Sequence, residues 1–109
     1  MGEIKTEPVV AQCFDSIDDL RERGQPRGGN VPGAIHIEEP DDDGEQMLAY
    51  CCPCGCGRIG YILIGNGFKP DFSPSWKWNG SRDKSTLTPS VHHVGHWHGW
   101  LTDGVWRSC

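Results

Sequence analysis

The sequence predicts a small, mainly β protein with one short helix near its N-terminus. Fifteen glycines and eight prolines among 109 residues leave few uninterrupted stretches that favour a helix. Most apolar residues occur in short alternating segments that are bounded by turn residues, as in half-buried strands. Cysteines crowd into one segment, which is typical of a small domain that a metal ion stabilises. We therefore expect a zinc-stabilised antiparallel sheet, a sandwich or an open barrel.

The length of the chain predicts a single domain over residues 1–109, since one hydrophobic core of this size is sufficient. Within it we expect residues 1–45 to form a helix, a Gly/Pro loop and an acidic hairpin region. Residues 46–109 are expected to form a metal-binding β core. No apolar run reaches the length of a membrane span, and the N-terminus lacks the features of a signal peptide. We expect a cytoplasmic protein without membrane contact.

Charge is distributed unevenly along the chain. Residues 1–50 carry 12 acidic and 4 basic side chains, whereas residues 51–109 carry 3 acidic and 6 basic ones. Many of the acids lie in residues 38–45, where a solvated loop is the simplest interpretation. The net charge of −5 opposes binding to phosphate backbones, so nucleic acid is not an expected partner.

The N-terminal part contains the predicted helix, over residues 14–23. Asp15 or Ser16 is a suitable N-cap, acidic residues fill the first turn, and Gly24 follows the last residue. Residues 24–33 form a Gly/Pro loop without the motif of a phosphate-binding loop. Residues 34–39 then alternate as a strand, and residues 41–44 form a turn.

Four further segments read as strands around the cysteines and after them. Residues 46–51 and 58–64 flank the cysteine cluster as the two arms of a hairpin. Residues 76–78 place two indoles on one face, and residues 86–91 are extended but interrupted by a proline. We expect four tryptophans to lie mainly in the core: Trp76, Trp78, Trp97 and Trp106.

The last segment predicts a hairpin. Strands at residues 96–101 and 105–108 are joined by Asp103 and Gly104, a dipeptide that favours a two-residue turn. The two histidines that precede this hairpin, His92 and His93, are expected to be exposed.

Four cysteines, Cys51, Cys52, Cys54 and Cys56, lie within six residues and indicate a metal site. Neighbouring cysteines rarely reach the geometry of a disulfide, and the expected compartment is reducing. Cys51 and Cys54 have the spacing of a zinc knuckle. Pairings of Cys54 with Cys56 and of Cys52 with Cys56 remain equally open. The alternative is a set of buried or redox-labile thiols. The isolated Cys13 is expected to be a small core residue.

A tetrahedral zinc site requires further ligands from elsewhere in the sequence. If Asp103 and Gly104 form the turn of the last hairpin, His98 lies directly opposite Cys109, with Cβ atoms about 5 Å apart. His96 shares the face of His98 and is a ligand, a supporting partner or an exposed residue. The metal ligands that we predict are Cys52, Cys54, Cys56, His98 and Cys109.

Several segments in this order resemble a phage and bacterial domain family of unknown function, some of whose members are mislabelled "ammonia monooxygenase". They are Cys-Pro-Cys-Gly-Cys-Gly at 52–57, Trp-Lys-Trp-Asn-Gly at 76–80, Ser-Thr-Leu-Thr-Pro-Ser-Val at 85–91, the His-Gly-Trp-Leu-Thr-Asp-Gly segment at 98–104, and Cys109. The resemblance covers residues 49–109.

The resemblance implies a small metal-binding β domain in which His98 and Cys109 match the distal ligands. One departure is Gly95-His96, which stands where relatives often have a further cysteine before the histidine. Relatives near bacterial ubiquitin-like conjugation systems look like candidate metallopeptidases.

These observations favour a zinc-binding accessory or interaction module with a structural metal, whose partner is another protein of a phage or its bacterial host. A metal-dependent hydrolase or peptidase is the first alternative, and nucleic-acid binding is the second. Hydrolysis at a metal needs an open coordination position and a general base. The sequence shows no local Ser-His-Asp or Cys-His signature and no Glu beside a histidine. We therefore assign no catalytic residue, and a protein without enzymatic activity is the preferred interpretation.

Overall fold

The computed structural model describes residues 4–24 and 31–109. Residues 25–30 of the predicted Gly/Pro loop lie outside the described residues. The described elements are β1 (Val9–Val10), α1 (Ile17–Gly24), β2 (Ile35–Ile37), β3 (Glu45–Cys51), β4 (Ile59–Asn66), β5 (Trp76–Trp78), β6 (Leu87–Thr88), β7 (Val91–His93), β8 (Trp97–Thr102) and β9 (Val105–Ser108).

Two sheets form the architecture, which confirms the mainly β prediction without a closed barrel. The four-stranded sheet has the order β1-β9-β8-β7, and the five-stranded sheet has the order β2-β3-β4-β5-β6. Neighbouring strands are antiparallel except for β4 and β5, which are parallel. The local sequence pattern did not predict this parallel pair. It arises because the segment at residues 67–75 brings the chain back beside Ile64, near the end of β4, before β5 begins.

The main core lies between the two sheets and is rich in aromatic side chains. Tyr50 of the five-stranded sheet packs against Trp106 of the four-stranded sheet, with ring centroids 5.5 Å apart. Trp97 meets Trp106 edge to face at 5.6 Å, and both indoles are fully buried. The Trp106 indole N–H donates to the carbonyl of Gly33 at 2.8 Å. Three of the four predicted core tryptophans, Trp78, Trp97 and Trp106, are therefore confirmed as buried, and Trp76 is half-buried.

Helix α1 covers the opposite face of β2 and β3. Its N-cap is Ser16, whose Oγ accepts a hydrogen bond from the backbone N–H of Asp19 at 3.0 Å. The helix starts at Ile17, three residues later than predicted, because Ser16 is the cap and residues 14 and 15 precede it. Leu20 is buried against a small cluster that includes Ala49 and Cys51. No helix in the described part of the chain has the length and hydropathy needed to cross a membrane.

The final hairpin has the predicted register. Thr102 pairs with Val105, and Gly99 pairs with Ser108. Asp103 and Gly104 have φ values of 50° and 79°, the left-handed conformations that a tight two-residue turn requires. The backbone N–H of Cys109 donates to the carbonyl of His98 at 3.0 Å, so these two residues lie opposite each other as the spacing predicts.

Candidate functional site

Three sulfur atoms come together at the end of the β3–β4 hairpin. The Sγ atoms of Cys52, Cys54 and Cys56 all lie within 4.8 Å of one another, and we call these residues the thiol triad. The backbone N–H of Cys52 donates to the carbonyl of Arg58 at 2.9 Å, which closes the hairpin below the triad. Gly55 adopts a φ of 87°, a conformation that permits the tight turn between the thiols.

The thiol triad has the donor chemistry and spacing of a metal site. Zn²⁺ with Zn–S bonds of about 2.3 Å places tetrahedral sulfur ligands about 3.8 Å apart. The Sγ atoms of Cys52 and Cys54 are 3.3 Å apart, so small movements bring all three to that spacing. The residues present therefore fit a soft divalent cation. Cys51, the other cysteine of this segment, packs beneath α1 in the second core cluster.

Burial is the main cause of the pKa shifts in and beside the thiol triad. It raises the pKa of the Cys52 thiol, and it raises the pKa of Cys51 to about 11. Burial likewise raises the pKa of Tyr50 to about 12, with further contributions from the charges of Cys52 and Cys56. The Tyr50 side chain packs in the same core cluster as Cys52 and Cys54.

His93 is half-buried and contacts Tyr50, so the prediction that it is exposed is wrong. It belongs to β7, where alternation places it on the same face as the buried Val91. Its ring contacts Tyr50 edge-on at 6.0 Å and lies 4.8 Å from the ring of His96. Its Nδ1 atom is buried and has no hydrogen-bond partner among the described residues. Burial is the main cause that lowers the pKa of His93, and the charge of His96 is the second cause. The neighbouring His92 is exposed, as predicted.

A serine and a histidine meet on the outer face of the four-stranded sheet. Ser90 directly precedes β7, and His98 lies in β8, where His92 is its register partner. The Oγ of Ser90 is 3.0 Å from Nε2 of His98, within hydrogen-bond distance. The ring of His92 packs on the ring of His98, with centroids 4.6 Å apart.

The backbone at Ser90 is held by a neighbouring strand. The indole N–H of Trp76 in β5 donates to the carbonyl of Ser90 at 3.0 Å. Among the described residues, no carboxylate contacts the ring of His98. The Ser90–His98 pair, which we call the dyad, therefore has a second imidazole, that of His92, packed against the His98 ring.

Sequence reasoning missed this pair because seven residues separate its two members and the intervening chain carries no catalytic motif. Both nevertheless lie in segments that carried the family resemblance, Ser90 in residues 85–91 and His98 in residues 98–104. Ser90 follows a proline and His98 lies on β8. These two residues indicate a shared site only once the pairing of β7 with β8 is known.

The distal metal ligands predicted from the sequence are His98 and Cys109. Their backbones lie opposite each other and are joined by a hydrogen bond. The structure brings the Nε2 atom of His98 to Ser90, whereas the side chain of Cys109 is exposed at the end of β9. The carbonyl of Cys109 accepts a hydrogen bond from Lys5 Nζ at 2.6 Å. Participation of either residue in a metal site stays a prediction.

The Ser90–His98 pair and the thiol triad are suited to different chemistry. A hydroxyl within hydrogen-bond distance of an imidazole is the arrangement that activates a serine nucleophile. Three clustered thiols at a hairpin end are the arrangement of a structural metal site. The two sites lie on different elements, so neither chemistry requires the other's ligands.

Comparison with known families relates these features to a protease. The family model described as "Bacterial ubiquitination-like system serine protease (BubE)" matches residues 21–109. The match extends beyond the C-terminal region covered by the resemblance and includes the second half of α1, residues 21–24. No curated protein and no solved structure matches the chain. The chain belongs to the BubE family of bacterial ubiquitination-like system serine proteases.

Proposed function

We propose that the protein is a serine hydrolase that cleaves amide bonds with Ser90 as nucleophile and His98 as general base. The observation that carries this proposal is the distance of 3.0 Å between Ser90 Oγ and His98 Nε2. The family description, which names a serine protease, supports the same assignment. This proposal replaces the preference for a protein without catalytic residues.

The reaction proceeds through an acyl-enzyme. Ser90 Oγ bonds to the carbonyl carbon of the substrate while its proton moves to His98 Nε2. His98 then delivers this proton to the leaving amine as the carbon–nitrogen bond breaks. Water, deprotonated by His98, attacks the ester, and Ser90 recovers its proton when the acid product leaves. The Trp76 indole, bonded to the Ser90 carbonyl, fixes the backbone from which the nucleophile projects.

His92 is the proposed positioning residue for the base. In many serine hydrolases a carboxylate orients the histidine, but here the flat face of another imidazole packs against it. Stacking at 4.6 Å restricts rotation of the His98 ring and leaves Nε2 directed at Ser90. His92 therefore acts through His98 and does not touch the reacting atoms.

The family description also supports a substrate class. It places the family in a bacterial ubiquitination-like system. We propose that the substrate is a protein, namely the precursor or conjugate of a ubiquitin-like modifier. The expected protein partner is then the substrate itself. A phage origin stays a prediction.

Active-site labelling tests this function. A fluorophosphonate probe is expected to modify Ser90, as located by peptide mass spectrometry. The variant S90A loses labelling and hydrolysis of p-nitrophenyl acetate, whereas S108A keeps both. Ser108 is a matched control because it is also half-buried, and its hydroxyl contacts Thr6 instead of a histidine. Equal labelling of S90A and the unaltered protein contradicts the proposal.

We further propose that the thiol triad binds a structural zinc ion. Zinc would tie together the end of the β3–β4 hairpin, whose small core gains stability from such a crosslink. His93 is the proposed fourth ligand because its Nδ1 is buried without a partner among the described residues, and its ring packs on Tyr50, which shares a core cluster with Cys52 and Cys54. In contrast, Nε2 of His98 is engaged by Ser90.

Cobalt substitution tests this metal site. Co²⁺ bound by three thiolates and one imidazole gives intense tetrahedral absorption bands, which are expected for the unaltered protein. These bands are expected to shift in H93Q and to stay unchanged in H98Q and C109S. If H98Q or C109S changes the bands and H93Q does not, the ligand set predicted from the sequence is correct and the role proposed for His93 is wrong.

A further inference from the structure

A cavity of about 440 Å³ lies between β4, β5 and β7. Its rim exposes three large apolar side chains: Phe72 is 66 % exposed, Tyr61 is 50 % exposed and Met47 is 40 % exposed. Tyr50 is buried and contributes to the wall. Among the lining residues, no Asp, Glu, Lys or Arg is present. A concave site of this composition accepts an apolar group and disfavours a charged one.

The cavity adjoins the Ser90–His98 dyad through two of its lining residues, Trp76 and His92. Trp76 lines the cavity and also donates its indole N–H to the Ser90 carbonyl. His92 lines it too and packs on His98. Two lining residues therefore touch the two members of the dyad, one each. A chain that fills the cavity therefore contacts two residues that adjoin the dyad.

One edge of β4 is open where it borders this cavity. Strand β4 pairs with β3 from Ile59 to Gly65, but it pairs with β5 only from Ile64 to Asn66. In residues 4–24 and 31–109, no strand pairs with the other edge of β4 between residues 60 and 63. An open edge offers backbone N–H and C=O groups to an added strand.

We propose that an extended, unstructured polypeptide segment adds to this edge of β4 and places a large apolar side chain in the cavity. The inference rests on the proposed function, since the segment is the part of the protein substrate that leads to the bond cleaved at Ser90. Backbone hydrogen bonds to β4 hold the segment, and the cavity selects its apolar residue. The substrate class is therefore a flexible tail or linker with an apolar residue near the cleaved bond, not a folded surface.

Peptide binding to the full chain with the S90A substitution tests this inference without requiring catalysis. The probes are fluorescein-labelled octapeptides that differ only in one central residue, Leu, Phe, Asp or Lys, and affinity is measured by fluorescence polarisation. Leu or Phe is expected to bind at least about tenfold more tightly than Asp or Lys. N-methylation of successive amides is expected to weaken binding at every second position, because alternate amides of a strand face its neighbour.

Substitutions at the rim locate the site. F72K is expected to lower the affinity of the Phe peptide by at least about tenfold. V94K is the matched control, since Val94 is 76 % exposed and does not line the cavity.

Similar affinity for all four peptides, or N-methyl effects without alternation, overturns the inference even when Ser90 reacts with fluorophosphonate. Selective, alternating binding to a protein whose Ser90 does not react supports the binding site and contradicts the proposed hydrolysis. The two failures are therefore distinguishable.

Discussion

Ser90 and His98 are brought to 3.0 Å by the pairing of β7 with β8, in which Val91 lies opposite Gly99 and His92 opposite His98. The proposed nucleophile, Ser90, therefore occupies the position just before β7, and the proposed base, His98, lies in the interior of β8. Strand pairing supports this geometry more rigidly than two loops would.

Substitutions of His98, the proposed base, and of His92, which packs on it, are expected to lower kcat by different amounts. H98Q loses the proton acceptor and lowers kcat by about 10²- to 10⁴-fold. H92A lowers kcat to a smaller extent by freeing the ring of His98, and H92F restores most of it by replacing the packed ring. The measurement is steady-state hydrolysis of p-nitrophenyl acetate. If H92A matches the loss in H98Q and H92F does not rescue it, His92 takes part in the chemistry directly.

Metal removal is expected to destabilise the hairpin end. A chelator lowers the midpoint of thermal unfolding and makes three additional thiols reactive, because a metal protects the thiolates that bind it. C54S is expected to give the same low midpoint without chelator. C13S is the control, as Cys13 lies in an isolated bridge with Ile35. Unchanged thiol reactivity after chelation, together with an unchanged midpoint, argues against a bound metal.

Alanine substitutions at two glycines that have the same φ distinguish the effect of a steric clash from the effect of backbone strain. Gly33 and Gly67 both have a φ of 82°, so alanine incurs similar strain at either position, about 1 kcal/mol or more. A Cβ on Gly33 would lie 2.7 Å from Val9 and 2.8 Å from the Trp106 ring, whereas none of the described atoms lies within 4 Å of one on Gly67. We expect G33A to lower the free energy of unfolding by several kcal/mol more than G67A. Urea denaturation measures both, and equal losses would contradict the packing described for Gly33.

The buried indole of Trp106 is expected to contribute through packing and through one hydrogen bond. W106F removes the donor to the Gly33 carbonyl and leaves that acceptor unsatisfied, at a cost of about 1–3 kcal/mol in addition to lost packing. W106A is expected to cost about 3–5 kcal/mol, through the cavity it creates. Urea denaturation at neutral pH checks both values. A cost below 1 kcal/mol for W106A would contradict full burial of this side chain.

The Cys13 thiol is expected to react slowly and to destabilise the fold at high pH. Burial raises the pKa of Cys13 above its model-peptide value of 9.0, and the nearby Arg82 partly offsets this effect. Above pH 9 the unfolded thiol ionises before the folded one, so this residue's contribution to the free energy of unfolding falls as the pH rises. Peptide-resolved alkylation at pH 8 is expected to be slower at Cys13 than at the exposed Cys109.

Removing the guanidinium tests the cause of this shift. R82A is expected to raise the pKa of Cys13 further and to slow its alkylation. Faster alkylation in R82A would show that the arginine shields the thiol instead of stabilising its ionised form.

Local features of the sequence determined many of the elements and the thiol triad. Turn dipeptides and alternating apolar residues predicted the two hairpins, and the β8–β9 register followed from the Asp103-Gly104 turn because a two-residue loop sets which residues face each other. Three thiols within five residues of chain predicted the triad, because ligands this close in sequence require only a local turn to meet.

Only the tertiary structure decided the rest. The parallel pairing of β4 and β5 depends on a connection that no local pattern describes, and it leaves open the edge of β4 beside the cavity. Ser90 and His98 become partners because β7 turns back onto β8, and His93 becomes half-buried because Tyr50 of the other sheet packs on it. These contacts depend on how two sheets are ordered and stacked. That arrangement is a property of the whole core, so short-range spacing along the chain does not encode it.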